Sequence, residues 1–409
     1  MRRAWSLVLG LPVLGLLVLG VAAASPAVPA APADPMAGAQ AVLDARAAAV
    51  RSGNRDAWMA TVDPQAPAAF RDAQGLLFDG LHSLPLASFD LQARTADTGD
   101  LGPAVASRYG GAPVLLPETR QRLRFKDFDA TDEVDSLWLT FVQRSGSWYV
   151  AADRDLESLG LDTARGLWDF GPVRAQPSAH FLVLSHPEQA TRAAALSAIA
   201  EDAVTALDDR WTQPWPGRIP LILPASVDEL QQLLQATVDL TKFVAFVSYG
   251  SVRDDGWVPT APRIYIQDRN LSRYGKSFQV ETLTHELNHA AVAPLAGPFI
   301  PSWVHEGVAD WVATGRRLTE APPAKADATM PRDYQFATGS QDDIVKAYAE
   351  ARSAIGALAK AKGLDAPGTF VRALGDVKVA PGSVDYQTDA ALRRAAGLGV
   401  ADLEALWRH

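Results

Sequence analysis

Apolar residues in the first part of the chain recur at the spacing of one helix face. A helix is predicted to start near Met36 and to end at Gly53, and helical spacing continues to about Phe78. The apolar residues on the face of the first helix are Met36, Leu43, Ala47 and Val50. These segments predict helices that are buried on one side only.

From Leu86 onward, apolar and polar residues alternate, which is the pattern of strands with one buried side. The alternating apolar residues are Phe89, Leu91 and Ala93 in one strand and Leu137, Leu139 and Phe141 in another. Ser145 and Gly146 separate the second strand from residues 148–151, so a hairpin is predicted there. Helices followed by antiparallel strands predict an α+β domain of unknown role over residues 36–160. The order of its elements resembles the cone-shaped nuclear transport factor 2-like domains.

The chain beyond residue 175 predicts a second domain, which extends to residue 409. Short apolar strands are predicted at residues 181–184, 219–223, 243–247 and 264–266. A long helix is predicted after the first of these strands, with an apolar face formed by Ala195, Leu196, Ile199, Ala203 and Leu207. Another helix is predicted at about 227–240, and every segment beyond Phe278 has helical character. The predicted fold class of the whole chain is α+β.

The N-terminal segment changes where the protein is expected to act. Residues 1–24 have the order of a secretory signal peptide, with Arg2 and Arg3, an apolar run and small residues up to Ala24. We expect cleavage near Ala24 and a secreted, extracellular protein of bacterial type. A retained N-terminal membrane anchor is the alternative, because the apolar run is long enough for a tilted span. Residues 25–35 are rich in Pro and Ala and predict a linker.

Composition and charge exclude several kinds of partner. The formal net charge of -9 and a pI near 5.3 provide no basic field for nucleic acid or an anionic membrane. No segment after the leader is long and apolar enough to predict stable insertion in a membrane. The chain has no cysteine, which excludes disulfides and lipid attachment through a thiol. The sequence does not indicate an oligomeric state.

A helical run at residues 282–292 contains the sequence His-Glu-x-x-His. His285 and His289 are four positions apart, so they project from one helix face and can share a Zn²⁺ ion. Glu286 is offset by one position, which places its carboxylate beside the metal as a general base. Glu306 follows in a second helical stretch and supplies a third ligand, and a catalytic zinc site needs three protein ligands with a fourth position for water. One zinc ion per chain is therefore predicted.

The pair His-Glu-x-x-His and Trp-x-x-Glu-Gly-x-Ala resembles the gluzincin metallopeptidases. The likeness is to the peptidase MA-like group, which is related to the thermolysin and aminopeptidase N clans, and it covers roughly residues 260–409. It implies a domain with a mixed sheet, an active-site helix and a helical C-terminal lobe, with the cleft between sheet and lobe. It also implies His285, His289 and Glu306 as ligands and Glu286 as the base.

The resemblance assigns roles to two further residues. Asp310, one turn after Glu306, matches a carboxylate that orients a ligand histidine, because a buried imidazole N–H needs an acceptor. Tyr348 matches a tyrosine that donates a hydrogen bond to the oxyanion of the reaction. A half-buried tyrosine with only a packing role is the alternative for Tyr348, and Tyr334 is the weaker candidate for the same task.

Departures from related patterns narrow the predicted activity. Val292 and Leu295 stand where the metzincin signature requires Gly and His, so that subclass is excluded. The Gly-x-Met-Glu-Asn segment that binds a free amino terminus is absent, which leaves an aminopeptidase unsupported. The strand at residues 264–267 is expected to pair with an extended peptide, as an endopeptidase requires.

The sequence therefore predicts a secreted zinc metallopeptidase that acts on a peptide or protein substrate. A catalytically silent zinc-binding module that engages a cell-envelope partner is the main alternative, and a metal-free interaction protein is another. Other histidines are expected to have ordinary surface or core positions, namely His82, His180 and His186. His305 adjoins Glu306 but is predicted to point about 100° away on the helix, so it is not expected to be a ligand.

Overall fold

The computed structural model describes residues 34–95, 101–237, 239–252, 259–297, 299–315, 329–338, 340–376 and 384–408. The predicted signal peptide lies outside these residues, and so does the predicted linker up to residue 33. The linker is predicted too long, because Asp34 already caps the first helix and Pro35 is its first residue. A proline at the first helical position loses no hydrogen bond, so it starts a helix here instead of extending a linker.

The described residues form an α+β fold with a helical C-terminal region. The helices are α1 Pro35–Ser52, α2 Arg55–Met59, α3 Ala68–His82, α4 Leu101–Arg108, α5 Ala190–Asp208, α6 Val227–Leu233, α7 Asp268–Leu271, α8 Lys276–Ala296, α9 Ser302–Ala313, α10 Tyr334–Ala337, α11 Gln341–Lys362, α12 Ala366–Gly375, α13 Val384–Ala396 and α14 Val400–Trp407. The strands are β1 Leu86–Arg94, β2 Val114–Leu115, β3 Glu118–Phe125, β4 Glu133–Trp138, β5 Thr140–Arg144, β6 Ser147–Ala152, β7 Arg174–Pro177, β8 Phe181–Ser185, β9 Ile219–Leu223, β10 Ala245–Val252 and β11 Pro259–Ile266. The predicted α+β class is confirmed.

The first helix follows its sequence signals closely. The Asp34 side chain accepts a hydrogen bond from the Met36 N–H, which satisfies one of the unpaired donors at the start of the helix. Gly53 ends α1 with φ of 69°, a left-handed conformation that glycine adopts without steric cost. Leu43, Ala47 and Val50 are buried as predicted, whereas Met36 is only half-buried.

Two antiparallel three-stranded sheets follow, with the orders β1-β3-β4 and β2-β5-β6. The predicted hairpin at Ser145 and Gly146 is confirmed, and both residues have positive φ. The prediction of one strand through Leu137, Leu139 and Phe141 is wrong, because β4 ends at Trp138 and β5 begins at Thr140 in the other sheet. The alternation continues across this change of sheet because all three side chains pack in one apolar core.

A mixed five-stranded sheet has the order β10-β11-β9-β8-β7. Its central neighbours β11, β9 and β8 are parallel, and the two outer pairings are antiparallel. The predicted strands at 181–184, 219–223 and 264–266 are confirmed, while the strand predicted at 243–247 starts later, at Ala245. Helix α6 ends at Leu233 and not near 240, since the chain turns at Gln235 with φ of 46°. Ala195 is exposed, in contrast to the buried Leu196, Ile199, Ala203 and Leu207 of α5.

Side chains from the two faces of this sheet enter two different cores. Phe181 and Val183 of β8 pack with the C-terminal helices, whereas Leu182 and Leu184 pack with the N-terminal helices and strands. Every residue of β8 is buried, as expected for a strand that is covered on both faces. The sheet is therefore the layer against which both halves of the chain pack. Among the helices of the described residues, none combines the length and apolar character that a bilayer crossing requires.

Candidate metal centre

Helix α8 lies on the sheet face that belongs to the C-terminal core, packed against α5, α9 and α12. Apolar and polar residues are buried around most of its circumference, which is typical of a helix enclosed by protein. Glu286, Asn288 and His289 are among its buried residues. Polar side chains are seldom buried without a partner or a function, so this segment of α8 differs from a plain core helix.

Helix α9 brings Glu306 and Asp310 against α8, and α11 also packs on α9. The close approach of α9 and α11 requires Gly307, because a Cβ there would lie 2.8 Å from the backbone oxygen of Ala351. The glycine directly after Glu306 thus allows α11 to bring Tyr348 and Arg352 towards the same region. In the sequence Glu306-Gly307, the glycine is therefore required for helix packing, independently of any role of the glutamate.

The three predicted ligands converge on one point. The Nε2 atoms of His285 and His289 are 2.9 Å apart. Oε2 of Glu306 lies 3.2 Å from Nε2 of His285 and 3.4 Å from Nε2 of His289. A tetrahedral Zn²⁺ with bonds of about 2.0–2.1 Å requires ligand atoms roughly 3.3 Å apart, so the donor set and its spacing fit this metal. In the described part of the chain, this is the one group of His and acidic side chains that converges in this way.

Burial and neighbouring charges set the protonation of the trio. Burial disfavours a charged His285, but its contacts with Asp310 and Glu306 outweigh this and raise its pKa well above the usual value. Burial and the neighbouring His305 lower the pKa of His289 to about 4. Burial opposes ionisation of Glu306 too, yet the histidines keep its pKa well below the usual value. His289 is thus neutral and Glu306 ionised at neutral pH, which are the states that bind a metal, whereas the raised pKa of His285 means that metal binding has to displace a proton from this ring.

Glu286 is not one of the converging ligands, but it is buried next to them and interacts electrostatically with His285 and Glu306. Burial and the charge of Glu306 raise its pKa to about 7, while His285 acts in the opposite direction. The backbone N–H of Val247, in β10, donates a hydrogen bond to this carboxylate. A carboxyl group with a pKa near the working pH exchanges protons efficiently in both directions.

Asp310 holds the second nitrogen of His285. Its Oδ1 lies 2.9 Å from Nδ1 of His285, which fixes the ring so that Nε2 faces the converging point. Its Oδ2 lies 3.7 Å from Nη1 of Arg352 in α11. The sequence analysis missed Arg352, although its position four residues after Tyr348 places both side chains on one face of α11.

Tyr348 lies at the edge of the trio. Its hydroxyl donates a hydrogen bond to Glu306, and its ring centroid is 6.4 Å from that of His285. Burial and the nearby carboxylates raise its pKa, so the hydroxyl keeps its proton. Phe336 packs edge-on against the ring at 5.3 Å. Tyr334 is 66% exposed on α10, and it is Phe336 of that helix that contacts Tyr348.

His305 lies closer to the trio than its helix position suggested. Its ring centroid is 4.1 Å from that of His289, and its Nδ1 is 3.5 Å from Oε1 of Glu306. The expectation that it is not a ligand agrees with the geometry, since the converging group does not include it. The expectation that it points away from the site is wrong, because the ring bends back over the neighbouring helix α8.

The strand predicted to pair with a peptide is not available for pairing. Residues 264–266 belong to β11, which has β10 on one side and β9 on the other. The edge strand at this end of the sheet is β10. In an antiparallel pair, every second residue forms hydrogen bonds to the partner strand. Since the Gln267 N–H donates to the Val244 oxygen, the backbone groups of the intervening residues Ala245, Val247 and Tyr249 point away from β11. This edge lies beside the trio, since Val247 contacts Glu286 and the Tyr249 hydroxyl donates to the His289 oxygen at 3.1 Å.

The remaining predicted histidines lie apart from this centre. His180 pairs with Glu201 at 2.6 Å, and exposed His82 stacks on Phe78. His186 is buried, with Nε2 2.9 Å from Glu229. The structure places these side chains in local contacts of their own.

The chain matches no known protein-family profile, and neither the curated proteins nor the solved structures contain a significant match to it.

Proposed function

We propose that this protein is a zinc-dependent metallopeptidase that cleaves extended peptide chains. The observation that supports it most is the convergence of His285, His289 and Glu306 on one point, with a buried Glu286 beside them. We further propose that residues 175–409 form a gluzincin domain and that residues 36–160 form a nuclear transport factor 2-like domain. The leader-like segment at residues 1–24 supports export of the protein.

The chain provides a place for an extended substrate. The outward backbone groups of Ala245, Val247 and Tyr249 are unpaired with β11. The Val247 N–H already donates to Glu286, and through the other outward groups a peptide can add to the sheet as a further strand. Such a peptide runs along the edge next to Glu286. A strand-like substrate of this kind suits an endopeptidase, because neither of its termini needs to be bound.

In this mechanism a bound Zn²⁺ supplies a Lewis acid and lowers the pKa of a water molecule. Glu286 accepts the proton that the attacking water releases and then delivers it to the amine nitrogen that leaves. Tyr348 turns its hydroxyl from Glu306 to the carbonyl oxygen of the substrate as that oxygen gains negative charge. Asp310 keeps the His285 ring in the required orientation.

The presence of Glu286 favours an enzyme over a silent zinc-binding module. A site that only binds zinc has no need for a buried carboxyl whose pKa lies near neutrality. In addition, a purely structural zinc site has four protein ligands, whereas three converge here among the described residues.

The test is elemental analysis of the purified protein together with hydrolysis of a peptide library. We expect one zinc per chain in the wild type, loss of zinc in His289→Ala, and retention of zinc in the control His82→Ala. Absence of zinc from the wild type after reconstitution would contradict the proposal. Bound zinc without any peptide hydrolysis would favour the silent module.

A further inference from the structure

His305 contacts two of the three candidate ligands without being one. Its ring lies 4.1 Å from the His289 ring, with 31° between the planes, which is a face-to-face contact with some tilt. Its Nδ1 lies 3.5 Å from Oε1 of Glu306. The side chain is 30% exposed and contributes no atom to the converging group. It is therefore placed to act on the site through its neighbours.

The two ligand histidines are held in different ways. Nδ1 of His285 is bonded to Asp310 at 2.9 Å. Nδ1 of His289 is buried and, in the part of the chain that the structure describes, has no hydrogen-bond partner. A ligand histidine ordinarily needs a partner for its second nitrogen, since this fixes the ring. For His289, the face of the His305 ring supplies a contact that restricts rotation.

The two oxygens of Glu306 have different neighbours. Oε2 faces Nε2 of both ligand histidines, at 3.2 and 3.4 Å. Oε1 faces Nδ1 of His305. A carboxylate that turns freely can present both oxygens to a metal, and this would fill the position that a catalytic zinc site keeps for water. The contact of Oε1 with Nδ1 of His305 at 3.5 Å favours an orientation in which only Oε2 faces the two ligand histidines.

We propose that His305 is a positioning residue that fixes the His289 ring by stacking and restricts Glu306 to metal contact through one oxygen. This inference rests on the proposed function, because it assumes that the trio binds Zn²⁺. The inference concerns the affinity for Zn²⁺ and the number of Glu306 oxygens that contact it. Both can be measured without a substrate.

The experiment compares three variants of the full chain by competition for Zn²⁺ with a chromogenic chelator. His305→Ala removes both contacts, His305→Phe keeps a ring but no donor, and His305→Asn keeps an N–H near the position of Nδ1 but no ring. We expect the dissociation constant to rise about 10- to 100-fold in His305→Ala and less in the other two. The control His82→Ala removes an exposed imidazole elsewhere and should leave the constant unchanged.

X-ray absorption of the zinc-loaded proteins separates the two contacts. We expect a shorter distance from zinc to the carboxylate carbon of Glu306 in His305→Ala and His305→Phe, as in a carboxylate that binds through both oxygens, and the wild-type distance in His305→Asn. Unchanged affinity and an unchanged distance in His305→Ala would overturn the inference while leaving the proposed function intact. If the wild type bound no zinc, the proposed function would fail first, and the inference with it.

Discussion

The five-stranded sheet has a buried cluster of charged side chains on each face, and the two clusters differ in how their polar atoms are satisfied. On the N-terminal side, Arg263 is 2% exposed and bonds to Asp129 at 2.6 and 2.8 Å and to Glu133 at 3.1 Å. On the C-terminal side, three ligand atoms of one trio point at each other, and a buried nitrogen of His289 has no partner among the described residues.

The comparison separates a structural cluster from the cluster that we propose to be functional. In the Arg263 cluster, opposite charges face each other, so its geometry is complete without any ligand. In the trio, two imidazole nitrogens and a carboxylate oxygen are all electron-pair donors that face one point, and such an arrangement is stable only with a shared proton or a metal. Buried charge alone therefore does not indicate a ligand site, whereas the convergence of donors supports the proposed metal site.

The largest expected effect tests whether Glu286 acts as the general base beside the trio. Glu286→Gln keeps the shape of the side chain but cannot accept a proton, so kcat for peptide hydrolysis should fall by about 10²- to 10⁴-fold. Zinc content should stay at one per chain, because Glu286 is not among the converging residues. The surface variant Glu157→Gln is the control. Hydrolysis at the wild-type rate by Glu286→Gln would show that another group is the base.

The next effect tests whether the Arg263 cluster stabilises the fold. Arg263→Met leaves Asp129 and Glu133 without their cation, so the free energy of unfolding in urea should fall by about 3–5 kcal/mol. Zinc affinity should be unchanged. Removal of all three charges in Arg263→Met/Asp129→Asn/Glu133→Gln should restore most of the stability, since no charge then remains unpaired.

A surface ion pair provides the control for this prediction. Arg332 and Asp385 are 63% and 72% exposed, so Arg332→Gln should change stability by less than about 1 kcal/mol. Equal losses in Arg263→Met and Arg332→Gln would mean that the buried cluster contributes no more than a surface contact.

The contrast also explains which features the sequence predicts. The spacing of His285, Glu286 and His289 is a property of one helix, so a local pattern is enough to place these side chains together. Glu306 is 17 residues after His289, and its return to the site depends on the packing of α9 on α8. The need for a third ligand suggested this return, and the resemblance implied it as well. Short runs of apolar residues likewise predicted the strands β8, β9 and β11.

Local sequence patterns do not predict the features that depend on tertiary contacts. The edge position of β10 follows from strand order, and strand order is set by which faces pack and not by alternation within one strand. The stacking of His305 on His289 depends on the angle between two helices. The pairing of Arg263 with Asp129 joins residues 134 positions apart, and neither residue has a local signal for it.

A smaller effect tests how the trio is supported. Asp310→Ala removes the acceptor for Nδ1 of His285, and we expect the dissociation constant for Zn²⁺ to rise about 10- to 100-fold. Asp310→Asn should have a weaker effect, because its amide oxygen can still accept the hydrogen bond. The constants are measured by chelator competition. An unchanged constant in Asp310→Ala would show that Asp310 does not support metal binding by the proposed ligands.

The smallest expected effect concerns Asp135, a carboxyl beside the Arg263 cluster. Burial and the charge of Glu133 raise its pKa to about 8, whereas the unfolded chain has the ordinary value near 4. Between these values the folded form binds more protons than the unfolded form, so the free energy of unfolding falls as pH rises. The slope for one such group is at most about 1.4 kcal/mol per pH unit.

Urea unfolding of the zinc-free protein at pH 5.5 and pH 7.5 measures this slope, and Asp135→Asn should make it flatter. The surface variant Asp385→Asn should leave it as it is. The metal-loaded protein adds the opposite trend, because zinc binds neutral histidines and ionised carboxylates and so stabilises the fold more as pH rises. A slope that is the same in Asp135→Asn and in the wild type would mean that the pKa of this carboxyl is not raised in the folded protein.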